Sequence, residues 1–289
     1  MDLSKLIIRP LTRDEFNIAV EWAATEGWNP GLGDADIFWY TDPDGYLGAE
    51  YDGEIVGTGS VVSYGGRYGF MGFFIVKPEL RGQGIGSRLW FHRRDFLRSR
   101  LVDGAAIGMD GVFDMQDWYH RGGFEFTHRN LRVEGVGKAA PEVLEQVSVV
   151  PLREILFEEV AAYDKHCFGF EREKFLRSWI GSSTADALGY VRDGRLAGFR
   201  VIRRCWEGSK IGPLFADDSE IASVLFDGLG NSAAGSPIWL DIPERSDEAM
   251  ALAHRNGMEE VFGCARMYHG PIPDMPWNQI FGITTFELG

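Results

Sequence analysis

Seven consecutive residues, Arg81-Gly82-Gln83-Gly84-Ile85-Gly86-Ser87, carry the clearest chemistry in the chain. Glycine at every second position removes the Cβ atoms that would hold a ligand away from the backbone, and it permits angles that other residues resist. Just upstream, the apolar run Phe73-Phe74-Ile75-Val76 stops at Lys77-Pro78, which reads as a buried strand. Downstream, Leu89, Trp90, Arg93, Arg94 and Leu97 are good helix formers with apolar residues at helical spacing. The unit is therefore strand, glycine-rich turn, helix. The first turn of a helix leaves backbone N–H groups without intrahelical partners. Together with the helix dipole they form an anion site, and Arg81 adds a fixed positive charge at its rim. The implied ligand is a phosphate or pyrophosphate.

The dinucleotide fingerprint G-x-G-x-x-G fails, because Ser87 stands where its third glycine belongs, and the mononucleotide loop ending in Gly-Lys-Ser/Thr is absent. The spacing that fits is Arg/Gln-x-x-Gly-x-Gly/Ala, met by Arg81, Gly84 and Gly86 and preceded by Val76-Lys77-Pro78. It resembles the acetyl-CoA-binding motif of the GNAT superfamily of N-acetyltransferases. The resemblance implies acetyl-CoA as cosubstrate. Its pyrophosphate would lie on Arg81, Gly82, Gln83, Gly84, Ile85, Gly86 and Ser87, and its pantetheine arm along a splayed strand at Phe74, Ile75 and Val76.

A second motif, Trp118-Tyr119-x-Arg121-x-Gly123-Phe124, is similar to the helix of that superfamily that reads Leu/Trp-Tyr-x-Lys/Arg-x-Gly-Phe. Gly123 suits a helix C-terminus. The resemblance implies that Tyr119 protonates the departing CoA thiolate. A tyrosine near pKa 10 matches that task; the alternative is a core tyrosine with a satisfied hydroxyl. Amine attack also needs a base. Many members carry a glutamate on the strand before the loop, but here that strand offers Met71, Gly72, Phe73 and Phe74. Asp110, at the end of the next strand, is the best substitute by position, with a turn-capping role as its other reading. Glu21, Asp34 and Asp36 are further acids on the presumed acceptor side. Trp22, Trp28, Phe38, Trp39 and Tyr40 either line an acceptor pocket or pack helices onto the sheet.

The chain has 289 residues, 45% hydrophobic and 25% charged, enough for two cores. A net charge of -14 argues against a nucleic-acid partner, whose binding needs basic surface. No apolar run reaches the ~20 residues of a membrane span. The first residues lack a signal-peptide pattern, so a cytoplasmic protein with no membrane partner is expected. Cys167, Cys205 and Cys264 fit neither zinc nor disulfide spacing, and the histidines follow no ligand pattern, so no metal is expected.

Thr12 with Glu15 forms a capping box for a helix to about Thr25. Asp34 to Tyr40 is a second helix, Tyr46–Tyr51 and Ile55–Tyr64 a hairpin about Asp52-Gly53, and Ala105 to Met109 a further strand. Val133 to Gln146, with Gly135, Gly137 and Pro141, reads as a linker or the start of a new layer. Beyond it the pattern repeats. Asp193-Gly194 answers Asp52-Gly53, 141 positions apart (52 and 193), and Ala253–Met258 answers Tyr119–Phe124 at an offset of 134 (120 and 254). Helices at Ile155 to Cys167 and Arg172 to Ile180 answer the first two. An apolar turn at Ile211–Phe215 leads to Ala216-Asp217-Asp218-Ser219-Glu220, with three carboxylates where the pyrophosphate would lie, and Ala253 replaces the tyrosine. The tail reads as a strand, a Pro-rich crossing and a final strand through Gly289.

The expected fold class is α+β, a mixed α/β chain of two tandem GNAT-like domains. Each is a mixed, mostly antiparallel twisted sheet flanked by helices, with an acetyl-CoA-binding domain at 1–138 and a degenerate one at 139–289. The expected activity is N-acetyl transfer to a primary amine of a small molecule or peptide by direct attack in a ternary complex. A non-catalytic acyl-CoA sensor is the alternative. Completing the acceptor pocket, extending the sheet and forming a homodimer are the roles open to the second half.

Overall fold

The computed structural model describes residues 2–138, 149–228 and 233–289. In the first half, strand β1 (Ile7–Pro10) leads into helix α1 (Arg13–Thr25). Thr12 accepts the Glu15 amide and Glu15 accepts the Thr12 amide, so the capping box forms as the sequence predicts. Helix α2 (Asp34–Thr41) follows, then the hairpin β2 (Tyr46–Tyr51) and β3 (Glu54–Tyr64). Strand β4 (Tyr68–Val76), helix α3 (Ile85–Ser99), strand β5 (Ala106–Val112), helix α4 (Gln116–Arg121) and strand β6 (Glu125–Val136) complete it.

The second half repeats this order. It runs β7 (Val149–Pro151), α5 (Phe157–Phe168), α6 (Glu173–Ile180), β8 (Ala185–Arg192) and β9 (Arg195–Arg204). Then come β10 (Ser209–Ala216), α7 (Ser219–Asp227), β11 (Pro237–Pro243), α8 (Asp247–Arg255) and β12 (Glu259–His269). The short β13 (Ile280–Gly282) closes the chain. The repeat holds in detail. Asp52-Gly53 and Asp193-Gly194 both turn through positive φ. Phe124 N–H donates to the Tyr119 carbonyl at 3.2 Å, and Met258 N–H to that of Ala253 at 3.1 Å, with Gly123 and Gly257 both left-handed.

Both halves share one mixed, mostly antiparallel sheet, in the order β1-β2-β3-β4-β5-β12-β6-β11-β10-β9-β8-β7. Only β4–β5 and β10–β11 are parallel among its named strand pairs. Each half gives a strand to the other: β12 enters between β5 and β6, and β6 between β12 and β11. This corrects the expected linker at Val133–Gln146, since Val133–Val136 belong to β6 and pair with β11. Residues 139–146 of that stretch lie outside the described residues. Ile211–Phe215, expected as a turn, is the interior of β10. The expected final strand is short: β13 spans three residues, and the following Ile283–Leu288 run buried without regular structure.

At this seam His128 of β6 is buried against Trp277, and burial first, then Arg266 and Arg245, lowers it from near 6.5 to about 3. Between those values the unfolded chain binds a proton that the folded chain does not. The contribution is complete above pH 6.5 and is lost as pH falls toward 3, by at most about 1.4 kcal/mol per pH unit. Urea midpoints at pH 7 and pH 5 should show this loss, and His128→Gln should reduce it.

Candidate active site

Strands β4 and β5 pair only from Tyr68–Met71 with Ala106–Met109, and past this point they diverge. The cause lies on the other edge of β4. Ser60 pairs Gly72 but Thr58 pairs Ile75, so Phe73 and Phe74 face a single residue, Gly59. This is a bulge, which bends the strand that carries it. Phe73 has φ +47, a costly angle for an aromatic residue. It is held by packing on Phe16 and Phe38, with ring centroids at 5.6 and 5.8 Å. Beyond the bulge the Lys77 amide bonds to Val56 of β3. Alternation along the strand then turns the Val76 amide the other way, into the gap between β4 and β5.

The gap opens into a cleft of about 650 Å³ lined by Phe74, Ile75 and Val76, by Gly82, Gly84, Gly86 and Ser87, and by Tyr119. Gly82 and Gly84 have φ +77 and +89, which explains glycine at both. Gly84 is the N-cap of α3 and no side chain caps the helix, so the first amides of α3 are left for an anion. Ile85 is fully buried in the core and is not among the residues lining the cleft. Gln83 points away, toward the Glu79 carbonyl. Arg81 lines the cleft, donates to the Val76 carbonyl at 3.0 Å and pairs with Glu26, an acid at the rim that the sequence reading did not single out. The fit to a pyrophosphate with an extended thiol arm is good: free helix amides at one end, an open strand edge at the other.

Tyr119 lies on α4, packed among Trp90 and Trp118. Its hydroxyl makes no hydrogen bond to a described residue, and burial pushes it up to about 12 against the pull of Arg93. The hydroxyl therefore stays protonated through the neutral range.

Past Tyr119 the cleft continues into an inner cavity of about 70 Å³. Aromatic side chains of Trp28, Phe73, Phe262 and Phe286 wall it, with Arg93 on the α3 side. Asp110 reaches this wall, but Arg266 Nε and Nη2 donate to its two oxygens at 2.9 and 2.6 Å, and Asn130 Nδ2 adds a third bond at 2.8 Å. A carboxylate so engaged in a buried pair holds its neighbours in place and is a poor base. The other acids expected on this side are also placed elsewhere. Asp34 is buried against Arg203 at 3.0 Å, Asp36 pairs with Arg13 on the surface, and Glu21 is exposed.

Of the five early aromatics, Trp28 alone lines the cavities. Its carbonyl accepts from Arg132 and Lys210, at 3.1 and 2.6 Å, which ties it to β6 and to the second half. Phe38 and Trp39 are packing residues, and Tyr40 is exposed beneath Lys174. The sequence reading missed Glu287, which lines the inner cavity. Its signal was a lone acid in the otherwise uncharged run Phe281–Gly289.

The matching place in the second half is closed twice. Asp218 caps α7 with its own carboxylate, accepting the amides of Glu220 and Ile221 at 3.1 and 2.9 Å, and Arg192 pairs with Asp217 and Asp218. The gap between β10 and β11 holds β13, which pairs Leu214 and Phe215, while the Ile283 amide donates to Asp241.

Two family models cover most of the chain: the Acetyltransferase (GNAT) family at residues 12–124 and an Acetyltransferase (GNAT) domain at 160–282. The chain belongs to the GNAT acetyltransferases. It is a tandem GNAT protein and an acyltransferase, as its relatives bear out. A holothin acyltransferase of Pseudoalteromonas sp. (strain SANK 73390) is 28% identical over 97% of this chain and 94% of its own. A putative acetyltransferase of Pyrococcus horikoshii superposes at a TM-score of 0.84 with 24% identity, covering 100% of this chain and 98% of its own. A tandem GNAT protein from the clavulanic acid biosynthesis pathway superposes at 0.63 with 15% identity, over 92% and 99%. Both structures show the same fold. No helix among the described residues is long and apolar enough to cross a membrane.

Proposed function

We propose that this GNAT protein moves an acetyl group from acetyl-CoA to a primary amine of a small molecule or peptide, by direct attack while both are bound. One observation carries the reading: the free amides that start α3, the open edge at Phe74–Val76 and the Tyr119 hydroxyl line a single cleft. The α3 amides and Arg81 would take the pyrophosphate. The inward amide of Val76 is placed to polarise the thioester carbonyl, a form of charge stabilisation that a preorganised backbone supplies well. Tyr119 gives its proton to the departing thiolate. The relative named for holothin supports a small-molecule acceptor.

Acetyl-CoA binding by calorimetry and turnover by thiol release test this. Tyr119→Phe should lower kcat by roughly 100-fold while the acetyl-CoA Kd stays within about twofold. Unchanged turnover would remove Tyr119 from the mechanism. Because the protonated hydroxyl acts, and burial holds it up to about 12, wild-type kcat should not fall between about pH 8 and pH 10, where an ordinary tyrosine begins to ionise.

A further inference from the structure

Glu287 lies in the segment that follows β13, after that strand has filled the gap between β10 and β11. The segment crosses the seam and passes Gly72 of β4 so closely that a Cβ there would run into the Glu287 carbonyl. Thr285 Oγ accepts the Glu287 and Leu288 amides at 3.0 and 2.9 Å, and Tyr64 donates to the Leu288 carbonyl at 2.8 Å. The backbone at Glu287 is therefore fixed. The residue is 6% exposed, yet Oε2 has no hydrogen-bond partner and Oε1 accepts from no described residue.

A buried carboxylate without a partner is costly, and three cations moderate the cost. Arg132 of β6, Arg203 of β9 and Lys210 of β10 all act on Glu287 electrostatically. Each has a nearer partner of its own: Arg132 is bidentate to Asp241 of β11 at 2.7 and 2.8 Å, Arg203 binds Asp34 of α2, and Lys210 binds the Trp28 carbonyl. The other ionisable groups around the cavity are Asp110 of β5, already paired, Cys264 of β12, Tyr119 of α4 and Arg93 of α3. Arg93 gives Nη2 to the Ser60 and Gly72 carbonyls at 2.7 and 2.8 Å. Glu287 is thus the free carboxylate among the described groups of this cavity.

We propose that Glu287 binds the acceptor's ammonium group and acts as its general base, so that the second half completes the active site of the first. This rests on the function proposed above. The aromatic walls and the small inner space suit the head of a small primary amine. They do not suit a long acyl tail, which would bury the carboxylate against methylenes. Glu287 takes one proton from the ammonium. The amine lone pair then forms the C–N bond to the thioester carbon, and the C–S bond breaks with its electron pair on sulfur. Tyr119 protonates that thiolate, and its phenolate recovers the second amine proton as the amide forms. The proton on Glu287 leaves to solvent, so the reaction yields the amide, the free thiol and one proton.

The test uses the full chain, acetyl-CoA and two small acceptor probes, with uncatalysed rates subtracted. Propylamine is an ammonium ion at neutral pH and needs a base; hydroxylamine is mostly neutral there and does not. Glu287→Gln should lower kcat/KM for propylamine roughly 100-fold at pH 7 and make it rise about tenfold per pH unit, while hydroxylamine changes by less than about threefold. Glu287→Asp should recover part of the propylamine rate. Equal losses with both probes, or no loss with either, would overturn the proposal. So would a wild-type protein that binds acetyl-CoA but acetylates neither probe. A wild-type protein that binds no acetyl-CoA would instead overturn the proposed function, and this inference with it.

Discussion

Gly84→Glu should raise the acetyl-CoA Kd by at least about 100-fold, a loss of roughly 2.7 kcal/mol. Three effects act in one direction. Gly84 has φ +89, where any other residue pays about 1–2 kcal/mol. Its Cβ would meet the Leu3 side chain at 2.9 Å, which must then give way. The new carboxylate would stand at the N-terminus of α3, where the pyrophosphate is proposed to lie, and like charges repel strongly in a partly dry cleft. Gly84→Ala separates these, since it has the backbone and contact costs without the charge. Calorimetry should show a smaller loss for alanine than for glutamate. Undiminished binding by Gly84→Glu would refute the placement of the loop.

The second large effect concerns the chain's division. Residues 1–138 expressed alone should not give a folded domain, although the motifs proposed to bind the cosubstrate lie there. Without β12, strands β5 and β6 have no neighbour between them, and exposed strand edges invite aggregation. Without the tail, Phe70, Tyr64 and Gly72 lose the residues that cover them. Co-expression of 1–138 with 139–289 should restore a soluble, acetyl-CoA-binding complex. Soluble, cooperatively unfolding 1–138 on its own would show that the exchanged strands are dispensable.

How much of this was legible in the sequence depends on the range of the interaction. Thr12 and Glu15 contact each other three residues apart, and the glycines of 82–86 act on their own backbone, so both were readable. The acidic stretch Asp217-Asp218-Ser219-Glu220 was readable for the same reason, though not that Asp218 caps α7. The strand exchange was not. Gly135 and Gly137 looked like a linker because local composition cannot show that β11 and β12 lie on either side of Val133. Asp110 had the right position in the chain, and only its pairing with Arg266, 156 residues away, takes it out of contention. Glu287 stood out only as a lone acid, for the converse reason: nothing near it in sequence reveals that it crosses to Gly72.

The β13 plug has a consequence for both copies. In a pseudo-symmetric duplication the two copies start equal, and one tail can occupy only one of two equivalent gaps. With Ile280–Gly282 paired to β10, the second copy has no open gap for an extended arm, so Asp218 and Ala253 cost it no binding there. The same strand sets the path of the tail toward Gly72 of the other copy. Opening the second copy's gap would therefore displace the segment that covers the first.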